Sequence, residues 1–125
     1  MFIKSGLQRR KEIKAARLNK AKRSEVDVYS DVVPQGALLA DTEVLRERNP
    51  LERLPNFYVD RHFICKDCES HEIWTAKQQK WWYEVARGSI ASKAIRCRSC
   101  RFKEKRRKDE ARRVHLEGVA RKHYK

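Results

Sequence analysis

Cys65-Lys66-Asp67-Cys68 and Cys97-Arg98-Ser99-Cys100 decide how this chain is read, because the two pairs use all four of its cysteines. Thiols two residues apart let one tight turn grip a metal ion, with backbone amides directed at the sulfurs. Two such pairs supply the ligands of a tetrahedral zinc site. Cys65, Cys68, Cys97 and Cys100 are therefore the candidate ligands of one structural Zn2+, each pair expected on its own hairpin. Four thiolates leave no open coordination position, which argues against catalytic zinc and against an enzyme. A thioredoxin-like redox role needs one such motif in a larger sheet than this chain can build. Cys68-x2-His71 offers an alternative ligand, with His62, His115 and His123 behind it, but four paired cysteines already complete the set.

Working outward, 125 residues suffice for one small domain with extensions. Only 40% are apolar and 9% aromatic, so the core is limited and a metal clip would reinforce it. The net charge of +14 favours a polyanionic partner such as RNA, DNA or an acidic membrane surface. The membrane is the weakest of these, since no run approaches the length of a bilayer span and the basic segments lack a broad apolar face. Met1 to Lys20 has no apolar core of a secretory signal, being broken by Arg9, Arg10, Lys11 and Lys14. Thiols kept as metal ligands point to a reducing, cytoplasmic setting, an organelle transit peptide being the alternative reading of an Arg-rich, acid-poor start.

Charge divides the chain. Residues 1–24 hold nine Lys or Arg against Glu12 alone, whereas residues 25–64 hold eight acids against four Arg. Residues 65–95 are nearly balanced, and residues 96–125 return to thirteen bases against four acids. The expected organisation is a basic N-terminal arm (1–24), an acidic, Pro-containing connector (25–56), a four-cysteine zinc-binding domain (57–104) and a basic C-terminal helix (105–125). Two basic ends flanking a compact middle suit phosphate backbones. The candidate contacts are Arg9, Arg10, Lys11, Lys14, Arg17, Lys20, Lys22 and Arg23 in the arm. At the other end they are Arg96, Arg98, Arg101, Lys103, Lys105, Arg106, Arg107, Lys108, Arg112 and Arg113.

The arm has good helix formers but only a thin apolar stripe, Leu7, Ile13 and Leu18, so it is expected to stay disordered or marginally helical without a partner. Pro34, Gly36, Pro50 and Pro55 cut the connector into pieces, with a helical turn or two around Leu38 to Arg48. Asn56 to Ile64 reads as a strand or strap against the zinc module, and His71 to Trp74 as a short strand. Thr75 three residues before Gln78 has capping-box spacing, opening a helix through Trp81, Trp82, Tyr83 and Val85 that stops at Gly88. On an α-helix Trp81 and Val85 share one face. Core packing around the zinc is the expected use of these aromatics, with base stacking as the alternative. Ile90 to Arg96 returns extended, and a helix begins at or just after Cys100, with Glu104–Lys108 and Asp109–Arg113 as i, i+4 pairs.

Cys65-Lys66-Asp67-Cys68, Ile73-Trp74-Thr75-Ala76, Gln78 to Glu84, Gly88 and Arg96-Cys97-Arg98-Ser99-Cys100-Arg101 together resemble the zinc-ribbon, or treble-clef-like, domain of small bacterial proteins, over about residues 57–104. The resemblance implies a small α+β fold with four-cysteine zinc binding and little about activity. Glu69 departs from it, standing where such knuckles usually carry Gly, often at positive φ. The function expected is a non-enzymatic zinc protein that binds nucleic acid through its basic arms, RNA before DNA, in a ribosomal or other ribonucleoprotein setting. The alternative is an adaptor presenting Trp82, Tyr83 and the Phe57-Tyr58 strap to a protein partner.

Overall fold

The computed structural model describes residues 5–23 and 26–124, so the arm–connector boundary at Ser24 and Glu25 lies outside the described residues. The chain forms two compact units: one comprises the segment up to Phe63 with His71–Ala94, the other Ile64–Ser70 with Ile95 onward. Among the described residues no helix is long and apolar enough to cross a membrane.

In the first unit the arm is a helix, α1 (Gly6–Arg23), although its sequence promised little intrinsic order. Tertiary contacts supply what its thin apolar stripe does not. Arg17 donates twice to Asp60, Nε to Oδ2 at 2.5 Å and Nη2 to Oδ1 at 3.1 Å, and Ala21 is buried. Asp60 Oδ1 also accepts from Ala76 N at 2.9 Å. Burial pushes the Asp60 carboxyl up, but these hydrogen bonds and the charge of Arg17 outweigh it and leave its pKa lowered.

The sign of the pH dependence follows from that lowered pKa. The stabilisation is present above the unfolded carboxylate pKa, near 4, and is lost as pH falls through the lower folded value. Asp60→Asn is expected to loosen α1 at pH 7.5, speeding tryptic cleavage between Arg9 and Lys20 several-fold. Its thermal midpoint should converge on that of the wild type towards pH 3. Equal cleavage rates and a midpoint gap indifferent to pH would count against this anchor.

The remaining elements of the unit close around α1's partner residues. β1 (Leu38–Leu39) pairs antiparallel with β2 (Phe57–Tyr58), Leu38 opposite Tyr58 and Leu39 opposite Phe57. Between them lies α2 (Thr42–Arg48), capped by Asp41, whose side chain accepts from Val44 N. Arg46 Nη1 staples the following loop by donating to the carbonyls of Asn49, Pro50 and Glu52. β3 (Arg61–Ile64) and β4 (His71–Trp74) form a second two-stranded sheet. The expected strap is thus two strands, and Phe57 and Tyr58 are buried within the first unit, where they pair with β1.

The core of this unit is Leu45, Tyr58, Ala76 and Tyr83, with Ala40, Leu54, Trp74 and Ile90 packed on it. Two buried amides bind the elements together. Asn49 Oδ1 accepts from Ile90 N while its Nδ2 donates to Leu45 O, and Gln79 Nε2 donates to the carbonyls of Val59 and Trp74. Each satisfies backbone that would otherwise be desolvated without a partner.

α3 (Ala76–Lys80) starts as its sequence directs, with Thr75 Oγ1 accepting from Gln78 N and Thr75 N donating to Gln78 Oε1, both at 3.1 Å. It then widens into one π-helical turn, Trp81–Val85, closed by Ala86 N donating to Trp81 O at 2.9 Å. The five-residue spacing changes which side chain faces inward. Tyr83 is 4% exposed, whereas Trp81 and Val85 are 57% and 68% exposed, so the expected inner face is corrected. Arg87, not Gly88, takes the left-handed conformation at the stop, with φ +58°. Gly88 is needed for close approach, because a Cβ there would fall 2.2 Å from Trp82 Cε2.

In the second unit α4 (Arg98–His123) starts before Cys100, with Cys97 at its N-cap, and runs unbroken across residues 104 and 105. Its ion pairs differ from the expected ones. Glu104 pairs with Arg107, and Arg113 with both Glu110 and Glu117. At equal charge, the i, i+3 partner reaches these carboxylates as readily as the i, i+4 one.

Candidate metal centre and basic helix

The turn 65–68 presents the first thiol pair. Cys65 N donates to Ser70 O at 2.9 Å, Glu69 N to Cys65 O at 3.0 Å, and Lys66 N to Ile95 O at 2.8 Å. The last of these hydrogen bonds ties the knuckle to the irregular segment that leads into α4. Arg96 Nε reinforces it by donating to Asp67 Oδ2 at 2.8 Å. The second pair is corrected from a hairpin to the start of a helix: Cys97 is the N-cap of α4 and Cys100 lies in its first turn, its N–H 3.5 Å from Cys97 Sγ.

Cys65, Cys97 and Cys100 are buried and Cys68 is exposed, with all four sulfurs within 4.8 Å of one another. A Zn–S bond of about 2.3 Å sets the sulfurs of a regular tetrahedron about 3.8 Å apart. Cys68 Sγ and Cys97 Sγ are 3.7 Å apart, so the donor set fits the ion. Electrostatics point the same way. Backbone N–H groups of Cys68 and Cys97 draw the Cys65 thiol down to about 6, and Ser70 lowers Cys68. Cys100 is pushed up to about 12 by its contact with Cys97 and by burial. Four thiols packed this closely cannot all ionise unaided, and a dication removes that conflict by holding them as thiolates. The resulting formal charge of −2 sits at the N-terminus of α4, whose first turn holds no acidic residue.

Two ligands from a knuckle and two from the first turn of a helix define a treble clef zinc module. Residues 59–109, less than half of the chain, match the family described as "Probable treble clef domain", and this segment is a treble clef domain holding one structural zinc ion. No curated protein and no solved structure matches the chain.

His71 is not a ligand here. It stacks on His62 at 5.0 Å, with His62 Nε2 2.8 Å from His71 Nδ1, a cross-strand pair of the β3–β4 hairpin. Trp74 packs on the core of the first unit while Trp81 and Trp82 are exposed, so the expected use of the tryptophans is also corrected. Sequence reasoning missed Asp67, Ser70 and Arg96 as supports of the site. Only the position of Asp67 and Ser70 beside the ligands signalled them.

Glu69 carries the strain that its sequence position foretold, with φ +61°. A non-glycine residue there costs about 1 kcal/mol or more. Glu69→Gly is expected to tighten zinc roughly threefold to fivefold in competition with a chromophoric chelator, allowing for the added freedom of Gly in the unfolded chain. Unchanged or weaker binding would mean that the left-handed turn is not strained.

The other candidate residues fall into two groups. Arg9, Arg10, Lys11, Lys14, Lys20, Lys22 and Arg23 are exposed on α1, whereas Arg17 is committed to Asp60. Arg98, Arg101, Lys103, Lys105, Arg106, Arg107, Lys108, Arg112 and Arg113 are exposed on α4, of which Arg107 and Arg113 are held in ion pairs. Arg96, Arg101, Lys105, Lys108 and Arg112 line one shallow depression. The adaptor surface does not form as expected, since Phe57, Tyr58 and Tyr83 are buried and only Trp82 of that set is exposed.

Proposed function

We propose that this protein is a non-enzymatic nucleic-acid-binding protein of the cytoplasm, in which the zinc site fixes the base of a long basic helix. The observation that carries this reading is α4 itself. Thirteen bases against four acids fall within residues 96–125, and nearly all of α4, which bears most of them, is exposed. Such a helix has no apolar face to bury, and its excess charge is satisfied best by phosphates. RNA is favoured over duplex DNA because Arg-rich helices suit irregular, shape-recognised RNA surfaces, and a ribonucleoprotein such as the ribosome offers many of them.

The test is crosslinking in the native cells, recovery under denaturing conditions, and sequencing of attached nucleic acid alongside mass spectrometry of attached proteins. Enriched RNA crosslinked to α1 or α4 peptides is the expected result. Enriched DNA would correct the preference. A protein partner recovered without nucleic acid would favour an adaptor acting through the exposed Trp81 and Val85.

A further inference from the structure

We infer that α4 binds nucleic acid with one face only, a stripe formed by Arg101, Lys105, Lys108 and Arg112, which lays a single phosphate strand along the helix. The inference rests on the nucleic-acid reading above and adds the contact surface and the mode of contact.

The spacings of four, three and four residues bring these side chains within roughly 60° of arc on an α-helix, over an axial length of about 16 Å. All four are exposed, and together with Arg96 they border the same depression. Arg107 and Arg113, elsewhere on α4, are differently placed. Glu104 holds Arg107 at 2.7 Å, and Arg113 bridges Glu110 and Glu117 at 2.5 and 2.8 Å. Those side chains are already neutralised by carboxylates of their own helix, and a phosphate would have to displace them. Arg96 is likewise shared with Asp67, which places it as a brace at the zinc end of the stripe.

The flanks decide the mode of contact. Glu104 and Asp109 border the depression on either side of the stripe. A helix seated in the major groove of duplex DNA meets phosphates on both groove walls. Asp109 at one flank would face a wall and be repelled, while Glu104 at the other is already paired with Arg107. A single strand running along the stripe meets only cations, with the carboxylates turned aside. Contacts of this kind are made to the backbone and are indifferent to base sequence.

Two charge-matched double variants of the full chain test this, with an unstructured single-stranded RNA and the duplex DNA of the same sequence as probes. Lys105→Gln with Lys108→Gln removes two cations from the stripe, and Lys103→Gln with Arg106→Gln removes two from the opposite side. Equal zinc content and helicity establish that both remain folded. For single-stranded RNA the stripe variant is expected to lose about tenfold or more in affinity at 50 mM salt. Its slope of log affinity against log salt should fall by about 1.4, while the opposite variant stays within about twofold of wild type. Equal losses in both variants would overturn the one-sided contact and leave nucleic-acid binding standing. Tighter binding of duplex DNA than of RNA, lost in the stripe variant, would overturn the single-strand mode. Wild-type protein with no salt-dependent affinity for either probe would sink the nucleic-acid reading, and this inference with it.

Discussion

Cys97→Ser is expected to abolish stoichiometric zinc binding and to unfold the zinc unit, from the 65–70 knuckle into the first turns of α4. Cys97 is both a ligand and the N-cap of that helix. Serine caps helices well, so the substitution keeps a capping oxygen for Cys100 N while removing the thiolate, and the loss reports the metal. Structural zinc in small modules contributes an apparent 10 kcal/mol or more, comparable with the entire stability of a domain. Elemental analysis should fall from one zinc per chain to below about 0.1, and amide exchange in Cys65–Ser70 should lose its protection. Full zinc occupancy in the variant would show that Cys97 is not a ligand.

Tyr83→Ala should be the most damaging single change in the first unit, lowering its stability by about 3–5 kcal/mol in chemical denaturation. The ring stacks on Tyr58 with centroids 6.0 Å apart and meets Trp74 at 5.6 Å, while the hydroxyl donates to Ser92 O at 2.6 Å. Truncation opens a cavity and strands a carbonyl. Trp81→Ala, two residues away, removes a larger side chain that is more than half exposed, and its cost should stay within about 0.5 kcal/mol. The reverse ranking would mean that the helix keeps α-helical register through Val85 and that the π-helical turn does not exist in solution.

That ranking also marks where the sequence stops being informative. The Thr75–Gln78 box, the knuckle and the left-handed residue at Glu69 were legible because each is built from neighbours within a few residues. The π-helical turn was not. One inserted residue per turn is settled by whether Tyr83 or Trp81 completes a core drawn from α2, β2 and α3, and no local signal encodes that competition. Gly88 illustrates the same limit, since its sequence position suggested a helix stop while its real constraint is the indole of Trp82. The order of α1 was hidden too, because its anchor lies forty-three residues away at Asp60.

What the sequence determined by itself is the chemistry: four thiols in two pairs, one tetrahedral ion, and a surplus of cations on either side of it. Thiolate spacing and charge are properties of composition and short-range geometry, so they survive without knowledge of the fold. Only the tertiary structure decided that the second pair rides on a helix, that Arg17 serves the fold, and that carboxylates of α4 hold Arg107 and Arg113 while Arg101, Lys105, Lys108 and Arg112 gather at one depression. Those outcomes turn on which of several near-equal partners a side chain meets in space, and differences of about 1 kcal/mol between such partners are resolved only when the chain packs.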